Sequence, residues 1–324
     1  MAPIRNRARV GMSQHPPQPP GPLARKVVAA LHKLRRQQVI DLSAWRAARQ
    51  SADVASRLHT EPSLAELDPV HGVYVYAQNY LTTFIEQLIE LPLLAKLTQA
   101  YDQAENEYMP LGPPMSPLTR SYFSSWGTFD LGVGLKHESF TDIVIAVCRA
   151  LNAPAELLAL FETLQQSRMG LYRHDGVDGK LAYLSELISP RQHRVIVPSG
   201  YAGQAGELWL ARLLPPPPVL ASDYGVVFTT PYLLGQLDAR GRYQPAREHD
   251  WLDYLGRTLP TLKSRDELSA YEQLMKRGLN RHYWNEYIFL AYVNHREDRI
   301  YLAGLPDRPE SLPHSQQGRD RWEA

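Results

Sequence analysis

The sequence contains one cysteine and no long apolar run. Cys148 is the only thiol, so an intrachain disulfide is excluded. No segment approaches the roughly 20 apolar residues needed to cross a bilayer. The charged N-terminus is followed by prolines instead of the apolar segment of a secretory signal. These absences predict a soluble, cytoplasmic protein in a reducing compartment, with no membrane partner.

Acidic residues are missing from the first 40 positions. This segment carries eight Lys and Arg and no Asp or Glu, whereas the whole chain has 35 basic and 34 acidic residues. The remaining chain is therefore 27 basic against 34 acidic. A basic arm, with Arg35 and Arg36 in its first predicted helix, can contact nucleic acid, an anionic surface or the body of the protein. Two alternatives are open. Arg35 and Arg36 contact nucleic acid, or the arm is simply solvated or binds a partner.

Short apolar segments separated by turn residues occupy the middle of the chain. Between Met169 and Tyr232, four or five such segments recur at close spacing, as in an antiparallel meander that closes into a small barrel. Apolar residues at helical spacing dominate on either side. The predicted fold class is α+β: a helical N-terminal half, an SH3-like small β-barrel in the middle, and a helical C-terminal segment with one added strand, Arg299–Ala303.

The same patterns divide the chain into five parts. They are a disordered, proline-rich basic arm (1–22), a helical region (23–167), the barrel (168–232), an α+β segment packed on the rest (233–312) and a disordered tail (313–324).

An aromatic segment over 281–295 holds the candidate catalytic residues. The spacing predicts a helix in which His282 and Glu286 are one turn apart, with Tyr283 beside them. A histidine and a carboxylate so placed can transfer a proton. The chain lacks the His-Glu-x-x-His pattern, so we predict no metal site and no cofactor. The alternative is that this helix is a core element with a polar seam.

The barrel segment supplies candidate binding residues. Tyr172, Tyr201 and Trp209 are aromatics of the kind that stack on unpaired bases, but they can equally fill the barrel. Gly200, Gly203 and Gly206 match no phosphate-loop pattern, and we predict a loop between strands. His174 and its polar neighbours up to Lys180 are predicted to form a solvated hairpin turn.

Several segments taken together resemble a group of uncharacterised bacterial proteins. The segments are Gly170-Leu-Tyr-Arg-His, Val197-Pro-Ser-Gly-Tyr201, Gly206-Glu-Leu-Trp-Leu-Ala-Arg-Leu-Leu-Pro-Pro216 and His282-Tyr-Trp-Asn-Glu-Tyr287. The barrel segment is also similar to the small-barrel region of SEC-C-type proteins. The chain lacks the cysteine cluster of those proteins, so zinc binding does not carry over. The resemblance implies a bacterial cytoplasmic origin and no particular activity.

The leading hypothesis is a non-catalytic binding or regulatory protein of a bacterial cytoplasm, with an unknown protein or nucleic acid as its partner. One alternative is a hydrolase or nuclease-like enzyme that uses His282 and Glu286. A second alternative is a nucleic-acid-binding protein that uses the basic N-terminal helix.

Overall fold

The chain folds into a β-barrel flanked by helices from both ends of the sequence. The structure, a computed structural model, describes residues 19–36, 62–109, 120–237, 240, 243–277, 290–294 and 299–303 of the 324. Residues 1–18 of the predicted disordered arm and the whole predicted tail, 313–324, lie outside the described residues. Among the described helices, none is both long and apolar enough to span a membrane.

Helices dominate the chain before the barrel, as predicted. They are α1 (Pro22–Arg36), α2 (Pro62–Ala65), α3 (Pro69–Leu88), α4 (Ala95–Tyr108), α5 (Arg120–Phe129), α6 (Phe140–Ala150) and α7 (Ala155–Gln166), with a small hairpin of β1 (Gly132–Val133) and β2 (Glu138–Ser139) between α5 and α6. Most of their apolar faces share one core, in which Phe84 of α3 meets Phe161 of α7 edge-on at 6.0 Å between ring centroids, whereas α5 packs mainly in a second cluster with the C-terminal helices.

Local sequence signals set the ends of these helices. Pro92 lacks a backbone N–H, so the long apolar stretch splits into α3, a short 3-10 turn from Pro92 to Leu94, and α4. Ser139 and Asp142 form the predicted capping box of α6. The Asp142 amide donates to Ser139 Oγ at 3.2 Å, and the Ser139 amide donates to Asp142 Oδ2 at 2.9 Å.

Five strands close into the predicted barrel. They are β3 (Met169–Asp178), β4 (Leu181–Glu186), β5 (Gln192–Ile196), β6 (Leu208–Leu214) and β7 (Gly225–Val227). Around the ring, β3 pairs with β4, β4 with β5, β5 with β7, β7 with β6, and β6 with β3. All these pairs are antiparallel except β5 and β7. The closed ring confirms the predicted fold class.

Strand β6 is buried on both faces because helices cover the barrel from outside. Trp209 and Ala211 point into the interior cluster, whereas Leu208 and Leu210 pack against the cluster that includes the C-terminal helices. This alternation follows from the two-residue period of a strand.

Beyond the barrel, the described residues form further strands and two helices. These elements are β8 (Tyr232–Leu237), β9 (Tyr243–Pro245), α8 (Glu248–Thr258), α9 (Glu267–Arg277), β10 (Leu290–Asn294) and β11 (Arg299–Ala303). β8 extends the sheet from β6, and Trp251 of α8 and Tyr271 of α9 are buried in the outer cluster.

The predicted helix over 281–295 is wrong at its C-terminal end. Leu290–Asn294 is strand β10, antiparallel to β11, which itself runs parallel to β8. Tyr, Val and Leu fit a pleated strand as well as a helix, and pairing with β11 provides the hydrogen bonds of the ladder. Residues 281–289 and His295 of the predicted helix lie outside the described residues.

Candidate functional site

The candidate catalytic residues of the sequence, His282, Tyr283 and Glu286, lie outside the described residues. The structure therefore leaves the hypothesis of an enzyme that uses them as a prediction. Arg35 and Arg36 lie in the last turn of α1, and their side chains are outside the described part.

The candidate binding aromatics fill the barrel. Tyr172 is 4% exposed and Trp209 is fully buried. Tyr201, half-buried, lies 6.1 Å from Trp209 between ring centroids. Glu207 fixes both side chains, because it accepts hydrogen bonds from the Tyr201 hydroxyl and, at 3.0 Å, from Trp209 Nε1. Tyr172 and Trp209 thus have no face open for base stacking. They fill the barrel, which is the second of the two alternatives.

The prediction that His174 belongs to a solvated turn is wrong. The turn itself is at Gly179 and Lys180, but His174 lies within β3 and is fully buried. A bulge between His174 and Gly176 places the ring against Trp209, at 4.9 Å between centroids. Its Nδ1 accepts from the Gly176 amide at 3.2 Å, so Nε2 carries the proton and donates to the Ala202 carbonyl at 2.9 Å.

A polar cleft opens where the barrel meets α8. It has a volume of about 260 Å³. Its lining residues are Arg173 from β3, Ser185 and Glu186 from β4, Leu187, Ser189, Pro190 and Arg191 from the β4–β5 connection, and Glu248 from the first turn of α8. We call this feature the barrel cleft.

Glu186 and Ser189 form the inner wall of the barrel cleft, and Arg168, which is not one of the lining residues, holds Glu186 in an ion pair. Arg168 Nη1 donates to Glu186 Oε1 at 2.7 Å, and the Ser189 hydroxyl donates to Glu186 Oε2 at 2.7 Å. Both charged side chains are largely buried. Burial alone would raise the pKa of Glu186, but the charge and hydrogen bond of Arg168 and the bond from Ser189 lower it.

This arrangement opposes catalysis by Ser189. A serine nucleophile needs a neighbouring base that can take its proton at neutral pH. The lowered pKa of Glu186 makes its carboxylate a weak base, and its charge is already compensated by Arg168. Burial is also the main cause of a lowered pKa at nearby His193, whose Nε2 has no hydrogen-bond partner among the described residues.

Arg173 and Arg191 supply the cations nearer the solvent. Arg173 Nε donates to Asp175 at 3.0 Å, and its Nη1 reaches the Glu248 carboxylate at 3.2 Å; these acids raise the pKa of Arg173. Arg191 is half-buried, and within the described part of the chain its guanidinium has no carboxylate partner. Arg191 is therefore the uncompensated charge of the barrel cleft.

Sequence reasoning missed the residues of the barrel cleft, although one signal was present. In β4, Ala182, Leu184 and Glu186 occupy successive inward positions of an alternating strand. A carboxylate at such a position requires a buried cation or several donors. No sequence signal connects this wall with Glu248, which the fold of α8 brings to the barrel.

Within the described residues, no group of three or more His, Cys, Asp or Glu side chains is placed to hold a metal ion. No protein-family model matches this chain, and searches of curated proteins and of solved structures found no significant match. The resemblance to uncharacterised bacterial proteins and to the SEC-C barrel stays a prediction, and function must be argued from the geometry.

Proposed function

We propose that this protein is a non-catalytic binding module whose barrel cleft receives an acidic side chain of a partner protein. The observation that carries the proposal is the unpaired guanidinium of Arg191 in a cleft whose other ionic groups have partners. Arginine presents a planar fork of donors that matches a carboxylate. The single cysteine and the predicted bacterial origin favour a bacterial cytoplasm as the place of action.

Binding fits the barrel cleft better than catalysis does. Glu186, Arg168 and Ser189 satisfy one another, so the inner wall is rigid and holds no free base. Near the solvent, Arg173 and Glu248 form an exposed pair, with side chains 44% and 35% exposed. Exposed pairs contribute only about 0–1 kcal/mol, so a ligand carboxylate can displace Glu248 from Arg173 at small cost.

The test is a binding titration of the full chain with a fluorescent poly-glutamate peptide at low ionic strength. Arg191→Gln removes the charge and retains most of the side chain's length. We expect it to weaken binding about tenfold or more, because a charge-assisted hydrogen bond contributes about 1.5–3 kcal/mol. Its thermal stability should be unchanged, since only the backbone of Arg191 forms hydrogen bonds and its guanidinium has no partner within the described residues.

Arg194→Gln is the matched control. Arg194 belongs to the same strand region but pairs with Asp223, outside the residues that line the barrel cleft. Glu248→Gln adds a second arm, because removing the competing carboxylate from Arg173 should tighten peptide binding. Equal loss in Arg191→Gln and Arg194→Gln, or no binding by the unmodified chain, would contradict the proposal.

A further inference from the structure

Helix α1 has two opposite faces with different roles. Ala24, Val27 and Leu31 are buried in the helical core, where α1 packs on α6. The opposite side is exposed and basic; it carries Arg25, Lys26, His32 and Lys33. At about 100° per residue these four side chains fall within an arc of about 120° that faces away from the buried stripe. We call them the α1 basic face.

Glu138 fixes α1 from its N-terminal end. Its carboxylate accepts from the Leu23 amide at 2.9 Å and from the Ala24 amide at 2.8 Å, and the residue is 6% exposed. A carboxylate at this end also interacts favourably with the helix dipole. Glu138 is thus engaged by the backbone of α1, and α1 is held as a rigid element.

The cations of the α1 basic face are left unpaired, unlike most arginines of the described residues. Arginines elsewhere form ion pairs with carboxylates; they include Arg120, Arg149, Arg168, Arg173, Arg194, Arg212, Arg247 and Arg265. No such pair joins Arg25, Lys26 or Lys33 to another described residue. The first 40 residues also contain no Asp or Glu. The face is therefore positive without local compensation.

We infer that the α1 basic face binds the phosphate backbone of a nucleic acid. Arg25 and Lys26 lie about two helical turns, roughly 12 Å, from Lys33, so the two ends can contact different phosphates of one strand. Cations of one sign on a fixed helix are the electrostatic footprint of backbone binding. Helix α1 has no Phe, Tyr or Trp, and its exposed side is mainly cationic, so the proposed contact is with phosphates, which carry no sequence information.

A lipid surface fits α1 less well. Helices that lie on membranes insert an apolar face between the lipids. The apolar stripe of α1 is already covered by the helical core, so the helix offers a membrane only its charges. Anionic vesicles are accordingly a separate arm of the test.

The test measures fluorescence anisotropy of a labelled mixed-sequence DNA duplex, and of the same sequence as single-stranded RNA, with the full chain. The variant is the triple substitution Arg25→Gln, Lys26→Gln and Lys33→Gln, which keeps good helix formers. At about 50 mM salt we expect at least about tenfold weaker binding of either nucleic acid. For the duplex, the negative slope of log K against log salt should become shallower by about 2–3, because up to three phosphate contacts are lost.

The control removes three positive charges elsewhere, with Arg257→Gln, Lys263→Gln and Arg265→Gln on the exposed C-terminal region; unlike the cations of α1, Arg265 is paired, with Asp266. Circular dichroism of both triple variants checks that the fold is retained. Equal weakening by the two triples would assign the effect to net charge and overturn the inference. Absence of binding by the unmodified chain, or binding to phosphatidylserine vesicles without binding to nucleic acid, would overturn it as well.

Discussion

At the scale of single residues, Gly203 lies in the β5–β6 loop with its backbone close against Trp209 and His174 of the barrel. Its φ is +88°, in the left-handed region that glycine tolerates. A Cβ on Gly203 would overlap the indole of Trp209 and the imidazole of His174. Gly206, in the same loop, has φ +92° but open space around it. A comparison of alanine substitutions at the two glycines therefore distinguishes the effect of backbone strain from that of steric overlap.

Gly203→Ala should destabilise the protein more than Gly206→Ala does. Both variants place alanine in the left-handed region, which costs about 1–2 kcal/mol. Only Gly203→Ala also displaces Trp209 or His174, which adds about 1–3 kcal/mol from overpacking. Urea denaturation of the two variants measures the difference. Equal losses in the free energy of unfolding would show that the loop moves away freely.

At the scale of elements, α1 depends on a contact from a distant part of the chain. Glu138 is 115 positions from Leu23 and 114 positions from Ala24 in sequence, and it accepts hydrogen bonds from the amides of both. Helices of about 15 residues are marginal in isolation, so tertiary contacts must stabilise α1. The buried stripe of α1 and the carboxylate of Glu138 provide those contacts.

Glu138→Gln should loosen α1 while the barrel stays protected. The neutral amide loses two charge-assisted hydrogen bonds, each worth about 1.5–3 kcal/mol, and keeps at most weaker ones. The rate of deuterium uptake by the peptide covering 22–36 should rise by about tenfold or more, since local opening governs exchange there. The control is Glu156→Gln, an exposed acid in the first turn of α7. Unchanged uptake in α1 would contradict the role assigned to Glu138.

At the scale of the whole molecule, a buried ionic cluster joins the barrel to three helical elements. Asp130, after α5, pairs with Arg212 of β6 and accepts from Lys276 of α9 at 2.9 Å. Arg212 and Lys276 also donate to the carbonyl of Ser167, after α7, at 3.0 and 2.9 Å. Burial, followed by the charge of Arg212, lowers the pKa of Lys276, while Asp130 opposes that effect. One carboxylate thus serves two buried cations.

Asp130→Asn should cost about 3–5 kcal/mol of unfolding free energy, because it leaves two buried cations without a counter-charge. Removal of Asp130 lowers the pKa of Lys276 further, so the unfolded chain binds more protons between that pKa and about 10.4. The stability of the variant should therefore rise with pH in that window. Denaturation at neutral and alkaline pH measures both effects. Asp178→Asn, at an exposed strand end, is the control, and similar losses in both variants would argue against the cluster.

Much of the fold follows from local patterns in the sequence. Pro92 separates α3 from α4 because proline has no backbone donor, and Ser139 with Asp142 starts α6 through bonds between near neighbours. Turn residues at short intervals separate the strands of the barrel, and the apolar run that begins at Leu208 predicts a strand, although only the closed sheet decides that Trp209 faces the interior. Signals of this kind depend only on residues that are close in sequence.

The tertiary structure alone decided which polar groups meet and which backbone groups pair. Arg173 and Glu248 are 75 positions apart, and Arg212 and Asp130 are 82 apart. No local pattern encodes such distances. Leu290–Asn294 shows the same limit for the backbone: its residues suit a helix or a strand, and pairing with β11 gave the strand. The sequence determined where elements begin and which faces are apolar, whereas long-range packing determined the barrel cleft, because its ionic groups gain their partners only when distant elements come together.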